Sequence, residues 1–276
     1  MLTRGLQLSV NALPWKLRLA LKHVPGVASV QRWLVDAVLS RRTFLHAINR
    51  GPAKGLRYPV VLPIDKGVWT GTYEWDFAAR IAASIAPGAI CYDVGSYRGF
   101  LAGVIALAGG HVYAFEPLPV NCRQIEAMIA ANPGLRISLL QVALGNDVGV
   151  ARFRILSDSS MGKLTSSEFR PEDTGLEMVE VRVSTVDELV LTGQLPPPQL
   201  MKIDVEGAEA MVLAGARRVL AKYQPALFIE AHSAQLAQQC RFELSQYGYR
   251  IQALNPETET RASPGAEVSH MVCTPA

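Results

Sequence analysis

The chain has 276 residues, is 49% hydrophobic and carries a net charge of +3. That is enough apolar sequence for a full core, which excludes a chain disordered throughout, and enough length for one large domain or one domain with an extension. The charge is uneven: residues 1–57 hold ten Lys/Arg against one acid, Asp36, a local charge of +9 against −6 for the remainder, so the basic part reads as a separate arm and a nucleic-acid-binding body is excluded.

Residues 1–50 alternate basic and apolar positions at helical spacing. Leu17, Leu19, Leu21, Trp33, Leu34, Val38, Leu45 and Ile48 supply apolar faces for two or three short helices, broken at Pro14 and at Pro25-Gly26. This predicts a basic helical N-terminal extension over 1–56 and a main domain over 57–276. No continuous apolar stretch followed by a small-residue cleavage site stands at the N-terminus, so no secretory signal is expected. Trp69, Tyr73 and Trp75 mark an irregular segment, with aromatic rings suited either to stacking on a sugar face or to pinning the arm to the domain. A helix is expected from about Trp75 to Ile85, stopped by Pro87-Gly88.

Strands and helices then alternate. "AICYDVG" reads as an apolar strand ending in an acid and a glycine, "FLAGVIALAG" as a helix, "HVYAFEP" as a second strand ending in an acid, "PVNCRQIEAMIAANP" as a helix and "ISLLQVAL" as a third strand. This βαβαβ pattern predicts a parallel sheet covered on both faces. "GVARFRI" and "GLEMVEVRVSTVDEL" alternate as an inserted antiparallel hairpin around the polar stretch "SDSSMGKLTSSEFRPEDT", whose "SSMGKLTSS" either wraps an acceptor or is a solvated loop. "LMKIDVEG" and "PALFIEAH" are further parallel strands, and "YRIQAL" and "EVSHMVCTP" close a seven-stranded sheet as edge strands. The most apolar run, Phe100 to Phe115, is broken by Gly109-Gly110 and His111, so it is a helix, a turn and a strand and not a membrane span. Cys91, Cys122, Cys240 and Cys273 form no CxxC pair, which predicts reduced, mostly buried thiols in a cytoplasmic protein.

Four parallel strands end in acid: Asp93, Glu116, Asp204 with Glu206, and Glu230 followed by His232. Ligands of open parallel sheets bind beyond these ends, and carboxylates converging there need a cation, a metal or bound hydroxyls to offset their repulsion. In "DVGSYRG" Gly95 permits a tight turn and Gly99 a close helix–sheet approach, but Tyr97 stands where a dinucleotide fingerprint needs its middle glycine. Glu116 follows Asp93 by 23 positions, the interval of a carboxylate that grips ribose hydroxyls. A glycine loop and a ribose acid without the pyrophosphate fingerprint suit S-adenosylmethionine (SAM).

"YDVGSYRG", "AFEPLPVN", "VALGN", "VSTVDEL", "LMKIDVEGAEAMVLAGA" and "PALFIEAH" occur in the order seen in FkbM-type SAM-dependent methyltransferases, and from Ala89 to His232 the chain resembles that family. The KIDVEGAE block is the specific part. Ser96-Tyr97 departs from the Ala-Asn common in the family. The resemblance implies a Rossmann-like class I methyltransferase fold and O-methylation of a hydroxyl on a sugar, glycan or secondary metabolite. It also implies that Asp93, Gly95, Ser96 and Gly99 shape the cofactor loop and that Glu116 binds the ribose. Pro117 and Leu118 would border the adenine, Asn121 would buttress that loop and Ala143 would line the adenine side.

An alcohol acceptor must lose its proton as it attacks, and Asp204, Glu206, Glu230 and His232 are the candidate bases. Asp204 is also expected near the cofactor. Glu209 reads as stabilising a helix N-terminus, with Glu206 open to either role. Tyr73, Trp69 and Lys202 are the candidate acceptor contacts. A divalent ion on Asp204 and Glu230 is the secondary reading, since the spacing supplies no dedicated ligand motif. The basic arm either closes over the strand ends as a lid or lies on an anionic membrane surface. Two rival functions share the fold: a nucleotide-dependent oxidoreductase or epimerase, disfavoured by Tyr97 and by the lack of a downstream YxxxK pair, and a catalytically degenerate binding module, disfavoured by intact Asp93, Gly95, Glu116 and Asp204.

Overall fold

Whether an apolar run becomes strand or helix depends on what it can pair with, and the first described element shows this. The computed structural model describes residues 43–62, 64–155, 162–164, 177–254 and 268–276. It opens with β1 (Thr43–Ala47) and β2 (Arg57–Val61), an antiparallel pair, followed by α1 (Lys66–Thr70) and α2 (Trp75–Ala83). Helix was expected through residue 48. Instead Leu45 lies in β1 opposite Pro59, and Ile48 is buried in the main core. The β-branched and aromatic "TFLHA" finds a partner strand ten residues downstream, and that pairing outweighs local helical spacing. The apolar positions from Leu17 to Val38 lie outside the described residues.

The alternating units are β3 (Ile90–Val94), α3 (Phe100–Leu107), β4 (His111–Phe115), α4 (Pro119–Ala131) and β5 (Ile137–Leu140). Next come β6 (Ala143–Leu144), β7 (Gly149–Ile155), β8 (Gly162–Leu164), β9 (Glu177–Ser184) and α5 (Val186–Leu191). The chain continues through β10 (Leu200–Ile203), α6 (Glu209–Ala214), α7 (Arg217–Tyr223), β11 (Ala226–Ala231), α8 (Ala234–Ser245), β12 (Tyr249–Ala253) and β13 (Ser269–Pro275).

Seven strands form one sheet in the order β12–β13–β11–β10–β3–β4–β5. Only β13 runs antiparallel to its neighbours. The fold is thus the expected α/β fold with a mostly parallel seven-stranded sheet. β13 is not an edge strand as expected: it returns between β11 and β12, where both of its sides are hydrogen-bonded. The expected hairpin is β7 against β9, in a separate four-stranded sheet ordered β6–β9–β7–β8. Of "SSMGKLTSS" only Gly162–Leu164 is described, so its expected contact with an acceptor lies outside the described residues.

The period-two alternation of the central strands sorts the core into two layers. Cys91, Leu200 and Phe228 join α2, α3, α4 and β2 on one face of the sheet. Tyr92, Met201, Ile203, Leu227 and Ile229 join α5, α6, α7 and α8 on the other. All four cysteines are free and buried. Among the described residues no helix is long and apolar enough to cross a membrane.

Candidate functional site

The first layer's face carries the chemistry where it reaches the strand ends. Two residues beyond Cys91, Leu200 and Phe228, the same alternation brings out Asp93, Lys202 and Glu230. Lys202 stands in register with Asp93, and Glu230 with His270 of β13. The Lys202 ammonium lies 2.8 Å from the Gly95 carbonyl, 3.3 Å from Asp93 Oδ1 and 3.3 Å from Asp204 Oδ2. Burial works against its charge, but the carboxylates of Asp93 and Asp204 win and hold its pKa above the ordinary lysine value. Asp93 is fully buried and neither of its oxygens accepts a hydrogen bond among the described residues, so Lys202 is its compensation.

The strand-to-helix loop after β3 is fixed by backbone. Gly95 has φ +75°, and a Cβ there would lie 1.8 Å from the Asp204 carbonyl oxygen. Only glycine allows that approach. Gly95 N and Ser96 N both donate to the Phe115 carbonyl, and Ser96 Oγ donates to the Asp93 carbonyl. A Cβ at Gly99 would press Ile125 and Met128 of α4 at 3.1 Å, so this glycine admits a neighbouring helix where close approach to the sheet was expected. Tyr97 is held at φ 51° with its N–H on Glu116 Oε2 at 2.9 Å. Glu116 Oε1 accepts from Leu118 N at 2.9 Å and from Asn121 Nδ2 at 3.2 Å. Burial raises the Glu116 pKa to about 7 despite these donors. Arg98, also in this loop, is buried in an ion pair with Asp65 at 2.8 Å.

The turn after β10 positions the second set. Glu206 sits at φ 52° and Gly207 at φ 102°. Glu209 is fully buried, and its Oε1 accepts from Gly207 N at 3.0 Å and from Val205 N at 3.3 Å. The same oxygen lies 3.0 Å from His232 Nδ1. Glu209 therefore does more than complement a helix dipole: it closes the turn and orients His232. The other ring nitrogen, Nε2, faces Asp204 Oδ1 at 3.5 Å, Glu206 Oε2 at 3.5 Å and Glu230 Oε1 at 3.9 Å. Burial would depress the His232 pKa, but the Glu209 bond and the charges of Asp204 and Glu206 lift it to about 10. Burial raises Asp204 and Glu206. Glu230 is lowered, because its bond to His270 at 3.2 Å and that histidine's charge outweigh burial.

A cavity of about 270 Å³ joins these parts. Gly95, Ser96, Glu116, Pro117, Leu118, Asn121 and Ala143 line one end. Tyr73, Lys202, Asp204 and Glu206 line the other. His232 does not line the cavity but stands within 3.5 Å of Asp204 and Glu206, which do, and Glu230 is linked to them through His232; Gly99 and Asp93 support the loop. Trp69 is not brought to the cavity: it packs edge-on against His46 of β1, ring centroids 6.4 Å apart, where the β1–β2 pair needs apolar cover. Lys202 reaches the wall, but its ammonium is already engaged by Asp93, Asp204 and Gly95.

Asp65, Glu74 and His270 escaped the sequence reading, and Tyr97 was noted there without a site role. The first three sit in no spacing motif, and each gains its place through tertiary contact. A signal existed only for Tyr97, whose bulk at a glycine position marked an unusual loop. Among the described residues, three of the four non-glycine residues with positive φ, Glu74, Tyr97 and Glu206, line this cavity. Backbone strain of this kind concentrates at functional sites.

The residues fit a small cationic nucleoside: a glycine-made cradle, an acid at one end, and an excess of carboxylate over ammonium and imidazole at the other. A metal is also sterically served, since Asp204, Glu230 and His232 each offer a ligand atom within 4.8 Å of the others.

The hexuronic acid methyltransferase AglP of Haloferax volcanii is 30% identical to the chain over 135 residues, 48% of this chain and 51% of that protein. The chain thus spans about half the length of the curated relative it matches. Among solved structures, a methyltransferase FkbM from Methylobacillus flagellatus is 20% identical, covering 67% of this chain and 43% of that one, with a TM-score of 0.45. The precorrin-6Y C5,15-methyltransferase of Geobacter metallireducens is 12% identical over 72% of this chain and 87% of that one, with a TM-score of 0.45. The family model of the methyltransferase FkbM domain matches residues 93–251, from the buried acid of β3 to the edge strand β12, and the chain belongs to that family.

Proposed function

We propose that the chain transfers the methyl group of SAM to a hydroxyl of a sugar or related polyhydroxylated acceptor. The observation that carries this reading is the single cavity running from Glu116 to Asp204, with Gly95 packed on the Asp204 backbone between them. SAM supplies an electrophilic methyl group on a sulfonium. Glu116 grips the ribose, Leu118 and Ala143 border the adenine, and the carboxylate-rich end favours the positive charge. Asp204 removes the acceptor proton: its side chain is 22% exposed, it lines the cavity, and its raised pKa suits a base at neutral pH. His232 is the less suitable base. Its pKa of about 10 keeps it protonated at neutral pH, so it serves to orient Asp204 and Glu206. A hexuronic acid methyltransferase among the relatives supports a sugar acceptor.

Calorimetry with SAM and with NAD tests the class: saturable SAM binding and no NAD binding is expected, and the reverse defeats the proposal. Product mass spectrometry over a sugar panel should then show a gain of one CH₂, whereas SAM binding without turnover on any acceptor favours a degenerate binding module. A second reading, with a divalent ion on Asp204, Glu230 and His232, is favoured by their 4.8 Å convergence. Activity lost to a chelator and restored by magnesium would support it. The basic arm ahead of β1, which lies outside the described residues, is proposed as a lid over the acidic strand ends, while residues 43–57 belong to the domain through β1 and the buried Ile48 and Leu56. Salt-sensitive co-sedimentation with anionic liposomes would assign it to a membrane surface instead.

A further inference from the structure

Glu74 lies upstream of the stretch that the family model matches, yet it lines the same cavity as Asp204 and Lys202. It precedes α2 as its N-terminal cap with φ 44°, ψ 36°, a left-handed conformation that side-chain-bearing residues rarely adopt. It does not use that position to cap the helix, for its side chain makes no capping hydrogen bond. The side chain instead meets the neighbouring Tyr73 hydroxyl, and its Oε2 is buried with no hydrogen-bond partner among the described residues. A strained backbone and an orphaned buried oxygen in one residue are two separate penalties, the second costing about 1–3 kcal/mol. Both are repaid if a ligand group completes the bond.

The surroundings say what kind of group. The three nearby cations are already matched: Lys202 by Asp93 and Asp204, His232 by Glu209, and His270 by Glu230. Burial, followed by the charge of Glu230, raises the Glu74 pKa. The orphaned carboxyl oxygen accepts a hydrogen bond, and a hydroxyl supplies one without adding charge to a site whose cations are already matched. Tyr73 completes the wall. Its ring is set edge-on to Phe100 at 5.3 Å, so its face is fixed before any ligand enters.

We infer that Glu74, oriented by Tyr73, reads a second hydroxyl of the acceptor besides the one methylated, so that the site takes polyols and discriminates against acceptors with a single hydroxyl. This rests on the O-methyltransferase reading above. The geometry makes Glu74 a specificity-determining residue whose contact is separate from proton removal at Asp204.

The test uses the full-length protein loaded with S-adenosylhomocysteine and follows binding of methyl hexosides, methyl hexuronides and their single-deoxy analogues by ligand-observed NMR. In the wild type at least one deoxy analogue should bind about tenfold more weakly or worse than its parent, the loss expected for one unmade hydrogen bond. Glu74→Ala should shrink that difference to within about twofold, and Glu74→Gln, neutral and able to donate and accept, should retain it. SAM affinity should stay within about twofold in both variants, because Glu74 is placed at the acceptor end. If Glu74→Ala fails to fold, Glu74→Leu, of similar bulk and unable to hydrogen-bond, replaces it. Unchanged discrimination in Glu74→Ala, or in Glu74→Leu where it replaces it, overturns the inference, as does a wild type that binds parents and analogues alike or binds no sugar while binding SAM. Absence of SAM binding in the wild type overturns the methyltransferase reading, and this inference with it.

Discussion

At the Glu116 end of the cavity one carboxylate accepts hydrogen bonds from Tyr97 N, Leu118 N and Asn121, whereas at the Asp204 end Asp93, Asp204, Glu206 and Glu230 share their space with Lys202, His232 and His270 mostly at 3.2–3.9 Å. The first end is a template: short bonds to backbone fix the acid and leave little to tune. The second is a charge reservoir, in which moving one proton changes the energy of every neighbour. A cofactor that is the same in every turnover suits the template. A reaction that must remove a proton and admit a cation suits the reservoir.

Four perturbations break or sharpen this contrast. The largest effect belongs to Lys202→Met, which leaves Asp93 buried without compensation. It should destabilise the fold by about 3–5 kcal/mol, read as a lowered urea midpoint, and a loss below about 1 kcal/mol would show that Asp93 does not depend on Lys202 for its compensation. Asp204→Asn keeps the shape and should lower turnover on the order of 10²-fold or more while SAM affinity holds, as expected of a lost base. Wild-type turnover in that variant would remove Asp204 from the role. Glu116→Ala should weaken SAM binding by about 1–3 kcal/mol, the value of charge-assisted bonds to ribose hydroxyls, and should barely alter turnover at saturating SAM. Equal losses in affinity and turnover would mean the two ends are not separable.

The fourth perturbation is a change of pH. The folded His232 pKa of about 10 lies above its ordinary 6.5, so the folded state binds that proton more tightly than the unfolded chain. Its stabilisation is complete below pH 6.5 and is lost as pH rises through about 10. Denaturation midpoints should therefore fall between these values in the wild type and fall less in His232→Gln. Equal slopes would place the proton elsewhere in the cluster.

Much of the template was readable in advance because it is built from sequence neighbours. Asp93 and Gly95 share one loop, Glu116 and Asn121 are separated by a single turn, and their spacing follows from strand and helix geometry. The reservoir was readable only in its parts. Asp204, Glu206, Glu230 and His232 announce themselves at strand ends. But His270 joins them because β13 inserts between β11 and β12, and Glu74 because α2 crosses the face of the sheet that Phe77 covers. Those placements depend on long-range packing that periodicity does not encode. β1 escaped for the same reason, since "TFLHA" becomes a strand only when "RYPVV" lies beside it. Glu209 was seen but undervalued: a helix-end glutamate and a buried clamp on His232 have the same sequence.

Gly95 has a further implication for how the enzyme can vary. Its α-carbon abuts the Asp204 carbonyl so closely that any added methyl would collide at 1.8 Å. The loop proposed to hold the cofactor and the proposed base, Asp204, thus meet main chain to main chain, with no side chain between them to absorb error. Loosening elsewhere in the sheet should leave their spacing intact, whereas Gly95→Ala should displace Asp204 directly. On the proposed reading, substitutions at Tyr73 and Glu74 would alter acceptor preference while leaving the Gly95–Asp204 approach unchanged.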